Sequence, residues 1–280
     1  MSQDQTVKGD PRKPSGGRTE ARSEPAPAET GPEPVEEASG EVGAERSEAP
    51  SSPEASGAGG GIAWNDRVLA LGYTGSGKSA LLDHLFDQFR VQRVLLDTKG
   101  HEFDVRHGGE LVTPVRDVEA IDWAQPVIHY VDRTGEVAEF DELFAACHAR
   151  RHVLVRVDEV ADLCEYRPNK APTAFRRFVS KGRAHGQGLL AATQRPVLLP
   201  AGAKTEAQHV FLFGPRLSGD DHKAMGEVIG LNAAELGEVI DALPPYGFLW
   251  YRRASRELVQ CDPLPEHIRR RATTTRRTVA

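Results

Sequence analysis

Val68-Leu69-Ala70-Leu71-Gly72-Tyr73-Thr74-Gly75-Ser76-Gly77-Lys78-Ser79 runs from an apolar segment into a glycine-rich loop that closes on a lysine and a serine. From Gly72 to Ser79 the spacing is G-x-x-x-x-G-K-[ST], the pattern of a phosphate-binding loop. The apolar run before it predicts a short buried strand. After it, Ala80, Leu81, Leu82, Leu85 and Phe86 lie at helical spacing, so a helix over about 78–90 is predicted. Glycines let successive backbone N–H groups turn toward phosphate oxygens, and the helix that follows presents its positive end to the same anion. On this reading residues 72–79 all contact nucleotide, Lys78 reaches the β- and γ-phosphates, and Ser79 binds Mg²⁺.

Outward from the loop the sequence alternates strand and helix patterns. Strands are predicted at Arg93–Asp97, Glu110–Pro114, Val127–Val131, Arg151–Asp158, Gly188–Thr193 and Val210–Phe213. Helices are predicted at 137–150, 172–185, 219–229 and 233–241. Phe248–Tyr251 and Leu258–Gln260 form a closing hairpin. This alternation predicts an α/β fold with a mostly parallel sheet and helices on both faces.

The first 61 residues are different. They are rich in Glu, Pro, Ser, Ala and Gly, with 12 acidic against 6 basic side chains, and so carry the whole formal charge of −6. Such a composition cannot bury enough apolar surface to offset its ordering entropy, so 1–61 is predicted to be a disordered acidic tail. It reads first as a solubilising spacer and, alternatively, as a partner-docking or autoinhibitory arm that competes for a basic surface. Residues 62–262 form the folded domain, and 263–280 a basic C-terminal tail. Cys147, Cys164 and Cys261 are far apart without metal-ligand spacing, which predicts reduced thiols. The polar N-terminus does not resemble a secretory signal, and no apolar run approaches the ~18–20 residues that span a bilayer. A cytoplasmic location is expected.

The segment Val153-Leu154-Val155-Arg156-Val157-Asp158-Glu159 adds a second half to the site. An apolar strand ending in acids beside a phosphate loop suits phosphoryl transfer. Asp158 would hold the Mg²⁺ shell through water, and Glu159 would polarise the water that attacks the γ-phosphate. The same two acids could instead cap a helix starting at Val160. Gln194 ends the next strand, where ligands bind in parallel sheets. It reads either as a γ-phosphate sensor or as an ordinary polar residue before Pro196.

The loop at 72–79, Val157-Asp158-Glu159-Val160-Ala161-Asp162-Leu163, Lys181-Gly182-Arg183-Ala184-His185-Gly186 leading into Ala191-Ala192-Thr193-Gln194-Arg195-Pro196, and Asp97-Thr98-Lys99-Gly100 together resemble the FtsK–HerA superfamily of P-loop ATPases. Within it they are most similar to the FtsK/SpoIIIE-type DNA translocase motor, over roughly residues 66–251. The resemblance implies a RecA-like core, ATP and Mg²⁺ as cofactors, and a homo-oligomeric, hexameric ring around double-stranded DNA. It also implies catalytic roles for Lys78, Glu159 and Gln194, and an arginine acting in trans, with Arg183 or Arg177 as candidates. The alternative for these arginines is a solvated helix face.

One departure is plain: the family's Asp-Ser-Arg-like element is matched here by Ser218-Gly219-Asp220-Asp221-His222, which has no arginine. With no ring-stacking domain before the motor and only about 30 residues after Tyr251, the expectation is a compact phage, plasmid or mobile-element motor for translocation or packaging. Such a motor could work with a membrane-bound or mobile-element partner protein. The alternatives are an FtsK-like ATPase of a protein-secretion system and a slow nucleotide-dependent switch. For DNA contact, the sequence offers Arg269, Arg270, Arg271, Arg276 and Arg277 in the C-terminal tail, and residues 165–171 as a pore loop.

Overall fold

The computed structural model describes residues 61–100, 105–107, 110–214 and 218–269. The acidic tail to residue 60 and the arginines at 270, 271, 276 and 277 lie outside them.

Nine strands make one sheet, in the order β11-β10-β9-β1-β8-β7-β2-β6-β5. These are β1 (Arg67–Leu71), β2 (Gln92–Asp97), β5 (Pro114–Val115), β6 (Val127–Val131), β7 (Val153–Val157), β8 (Gln187–Thr193), β9 (His209–Phe213), β10 (Phe248–Arg252) and β11 (Glu257–Cys261). All strands from β9 to β5 are mutually parallel, whereas β10 and β11 add an antiparallel edge. A separate hairpin pairs β3 (Val105–His107) with β4 (Glu110–Val112).

Parallel strands need crossovers, and four of these carry helices: α1 (Lys78–Gln88), α2 (Val137–His148), α3 (Thr173–Lys181) and α4 (Ala201–Glu206); α5 (Gly219–Ile229) and α6 (Ala233–Asp241) lie between β9 and the antiparallel β10. Successive strand residues point to opposite faces, and both faces are covered. Val68 and Ala70 pack with Leu82 and Phe86 of α1. Leu69 and Leu71 share the other core with Phe140 and Phe144 of α2, Phe178 of α3 and Ile240 of α6. This is why the central strands read as continuous apolar runs rather than alternating ones.

In this order β8 lies between the loop-bearing β1 and the acid-bearing β7. Several expectations change. No helix starts at Val160. Its N–H bonds to the Ala192 carbonyl (2.9 Å), so the chain still tracks β8 there. Only a 3₁₀ turn at Asp162–Cys164 follows, and Glu165 and Tyr166, both left-handed, end it. The helix-cap alternative for Asp158 and Glu159 goes with that helix. The predicted strand at 110–114 splits in two, β4 joining the separate hairpin and β5 the edge of the main sheet. The predicted helix at 172–185 is α3 followed by a 3₁₀ turn at Gly182–His185. Helix α4 was not anticipated. All three cysteines are free. Among the described residues no helix is long and apolar enough to cross a membrane.

Candidate functional site

Because β1, β8, β7 and β2 are parallel and in register, their carboxyl ends lie along one edge of the sheet. Leu71 pairs with Thr193, Val157 with Ala191 and Leu96 with Val157. The loop after each strand therefore opens at the same place, and a cavity of about 390 Å³ lies there.

The phosphate loop forms one wall. Gly72, Gly75 and Gly77 have φ of 148°, 82° and 110°, all in the region that favours glycine. Gly72 also leaves no room for a side chain, since a Cβ there would stand 2.7 Å from the Phe213 carbonyl oxygen. Lys78, in the first turn of α1, donates from Nζ to the Gly72 carbonyl (2.6 Å) and the Tyr73 carbonyl (2.8 Å). Burial pushes its pKa down to about 8, against the opposing pull of the Glu159 charge. An ammonium that is this poorly hydrated gains strongly from an anion.

The acids line the same cavity. Asp158 follows β7 and is 8% exposed, with Lys99 Nζ at 3.2 Å and Arg156 Nη1 at 2.9 Å. Arg156 also pairs with Asp83 of α1 at 2.9 Å. Burial alone would depress its pKa, but Asp83 and Asp158 outweigh that and raise it. A buried charge needs such partners. The arginine inside the apolar run Val153–Val157 was the sequence signal for this pair, and it went unread. Lys99 belongs to the Asp97–Gly100 motif, but the motif did not show what the lysine touches.

Glu159 is held at both carboxylate oxygens. Oε2 accepts from the Gln194 backbone N–H (3.1 Å), and Oε1 from the Ala161 N–H (3.3 Å). Burial raises its pKa, partly offset by hydrogen bonds from Thr193, Ala161 and Gln194. A carboxylate shifted upward in this way is a better proton acceptor. The Gln194 side chain reaches across to the loop, where its Oε1 accepts from the Thr74 hydroxyl at 2.7 Å. Gln194 thus touches both the phosphate loop and the acid.

Lys78, Ser79, Asp158, Glu159 and Gln194 all line the one cavity, with Thr74, Gly75 and Gly77. The Ser79 hydroxyl and the Asp158 carboxylate are the hard oxygen donors that Mg²⁺ takes. Among the described residues no group of three or more His, Cys, Asp or Glu side chains could hold a metal by itself. The donor set therefore fits an ion completed by phosphate oxygens and water.

Arg183 is not part of this cavity. It lies in the turn before β8, near Asp66 (3.6 Å), with its side chain 60% exposed. Asp66 precedes β1, so Arg183 sits at the amino ends of the strands, a strand length of roughly 16 Å from the loop. Arg177, exposed on α3, does not line the cavity either. Five residues that the sequence did not assign to the cavity line it: Ala80, Lys99, Tyr246, Glu266 and Arg269. Arg269 had been read as part of a DNA-binding tail.

No protein-family model matches the chain. Among curated proteins, it is 29% identical over 160 residues to the DNA translocase FtsK of Streptomyces coelicolor, covering 46% of this chain and 17% of that protein. It is 28% identical over 160 residues to FtsK of Mycobacterium leprae, covering 46% and 19%. The chain thus spans less than a fifth of these relatives. Among solved structures, the genome packaging NTPase B204 from Sulfolobus turreted icosahedral virus 2, in complex with AMPPCP, has a TM-score of 0.60 at 21% identity, covering 73% of this chain and 100% of that one. VirB4 of Thermoanaerobacter pseudethanolicus has a TM-score of 0.50 at 11% identity, covering 74% and 91%. The two structures share the fold. In the residues gathered at the cavity, the order of the sheet and these likenesses, the chain is similar to FtsK–HerA-type P-loop ATPases.

Proposed function

We propose that this chain is an ATP-hydrolysing motor that moves double-stranded DNA. The hydrolytic half of the reading rests on one observation: Glu159, with its pKa raised by burial, is clamped by backbone N–H groups in the cavity that Lys78 also lines. A carboxylate fixed in the cavity of the phosphate loop suits the base that an attacking water needs. The loop N–H groups and Lys78 hold the phosphates. Ser79 and Asp158 hold Mg²⁺, which supplies charge neutralisation on the phosphate oxygens. Gln194, bonded to Thr74 and Glu159, reports the γ-phosphate state to the segment after β8.

The DNA half rests on the FtsK relatives, which are named DNA translocases. In this reading the chain assembles as a homo-oligomeric ring, with a hexamer expected. Arg183, at the far end of its own sheet, serves the site of a neighbouring subunit. The loop at 165–171 and the tail beyond 269 face DNA.

The test is ATP turnover by the full chain with and without double-stranded DNA, beside Glu159→Gln. DNA-stimulated turnover that falls about a thousand-fold in the variant supports the motor. Turnover indifferent to DNA removes the DNA half and directs the search to a protein substrate. Wild-type turnover in Glu159→Gln removes the assigned base.

A further inference from the structure

Tyr246 combines three features that ordinary packing does not explain. The residue is 43% exposed, among the few large hydrophobic residues so exposed in the described chain. Its backbone is left-handed, with φ of 66°, a conformation that bulky residues rarely adopt. The turn that imposes it, in which the Gly247 N–H donates to the Pro244 carbonyl at 2.8 Å, aims the ring at the phosphate loop. Tyr246 Cδ1 stands 4.0 Å from the point where a Cβ on Gly77 would be. Costly backbone at a ligand cavity points to a role in the cavity.

Arg269 completes the wall. Its Nε donates to the Leu264 carbonyl at 2.9 Å, and its Cζ lies 4.7 Å from the Tyr246 ring centroid. Both residues line the same cavity as Gly75, Gly77, Lys78 and Ser79. Aromatic rings and guanidinium planes are the two protein surfaces on which nucleobases stack.

We propose that Tyr246 and Arg269 form the nucleobase subsite of this cavity, stacking the base of a nucleoside triphosphate whose phosphates occupy the Gly72–Ser79 loop. The inference rests on the triphosphate reading of that loop. It also gives the segment after β11 a function: the chain returns to the catalytic edge to close the nucleotide site. Arg269 thereby belongs to nucleotide binding rather than to DNA.

The experiment compares two probes by calorimetry, ATP and inorganic tripolyphosphate, on the full chain and on Tyr246→Ala, Tyr246→Phe and Arg269→Ala. Tyr246→Ala is expected to lose roughly ten-fold in ATP affinity, with tripolyphosphate affinity unchanged and Tyr246→Phe close to wild type. Arg269→Ala is expected to lose a few-fold for ATP alone. Equal loss for both probes, or unchanged ATP affinity in Tyr246→Ala, would overturn the base subsite while leaving the phosphate loop intact. A wild-type chain that binds neither probe would remove the loop reading and the subsite with it. Because alanine could disturb the turn, Tyr246→Asn, which tolerates a left-handed backbone, is measured alongside, with thermal melting of every variant.

Discussion

Both ends of the parallel sheet bury a cation, but in opposite ways. At the amino end Arg67 is 2% exposed, and all three of its guanidinium nitrogens donate to backbone carbonyls. Nε bonds Val179 O (3.0 Å), Nη1 bonds Asn65 O (3.0 Å) and Gln187 O (3.1 Å), and Nη2 bonds Phe178 O (3.0 Å). Phe178 and Val179 sit near the C-terminal end of α3, where helix carbonyls run short of backbone donors; the Phe178 carbonyl accepts from the Gly182 N–H as well as from Arg67. Arg67 therefore caps α3 and ties it to β1 and β8. At the carboxyl end Lys78 holds two carbonyls of its own loop and opens onto a cavity. Burial lowers both, Arg67 to about 10 and Lys78 to about 8. The lesson is that a buried charge saturated by scaffold carbonyls builds the fold, whereas one facing a glycine-lined cavity is poised for a ligand.

Substitution at each end tests that contrast. Lys78→Ala is expected to lower ATP affinity about a hundred-fold, since charge-assisted bonds to phosphate are the strong ones. Its melting temperature should hold or rise, as a desolvated ammonium is removed. A variant that unfolds instead would make Lys78 structural and erase the contrast. Arg67→Met is expected to cost on the order of 3 kcal/mol of stability by removing the side-chain donors to four backbone carbonyls. Below its melting transition, ATP affinity should match wild type. Denaturant unfolding and calorimetry read the two effects separately.

A pH titration sharpens the difference. Between about 8 and its ordinary 10.5, Lys78 holds fewer protons in the folded chain than in the unfolded one. Stability of the ligand-free protein therefore gains from this group as pH rises through that window, while anion affinity falls as the charge is lost. The fall approaches ten-fold per pH unit at most, and it should vanish in Lys78→Ala. Parallel slopes in the two proteins would assign the titration to another group. The smallest effect is expected at Thr74→Val, which removes one hydrogen bond to Gln194. Steady-state ATP turnover should fall about five-fold, and unchanged turnover would free Gln194 from the sensing role.

Much of the site was legible because its chemistry is local. The eight residues from Gly72 to Ser79 need one another's spacing and little else, so the loop, its strand and α1 could be read directly. Asp158 and Glu159 were legible for a similar reason: a strand of small and branched apolar residues ends in acids at the expected point. The order of the strands was not legible. That β8 separates β1 from β7 depends on which buried faces pair best across the whole sheet, and no short segment encodes it. The ion pairs of Arg156 with Asp83 and Asp158 span the distance between β7 and α1, so only their joint burial reveals them.

The amino-acid sequence by itself determined that a phosphate loop, an acid-ended strand and a strand-end glutamine exist in an α/β chain, because period, glycine placement and spacing are properties of short segments. Only the tertiary structure decided that Gln194 bonds both Thr74 and Glu159, that Arg183 stands at the far end of the sheet, and that Tyr246 and Arg269 reach the same cavity. Those placements follow from parallel strands sending their carboxyl ends to one edge and from a chain end folding back across it, which are long-range consequences of packing.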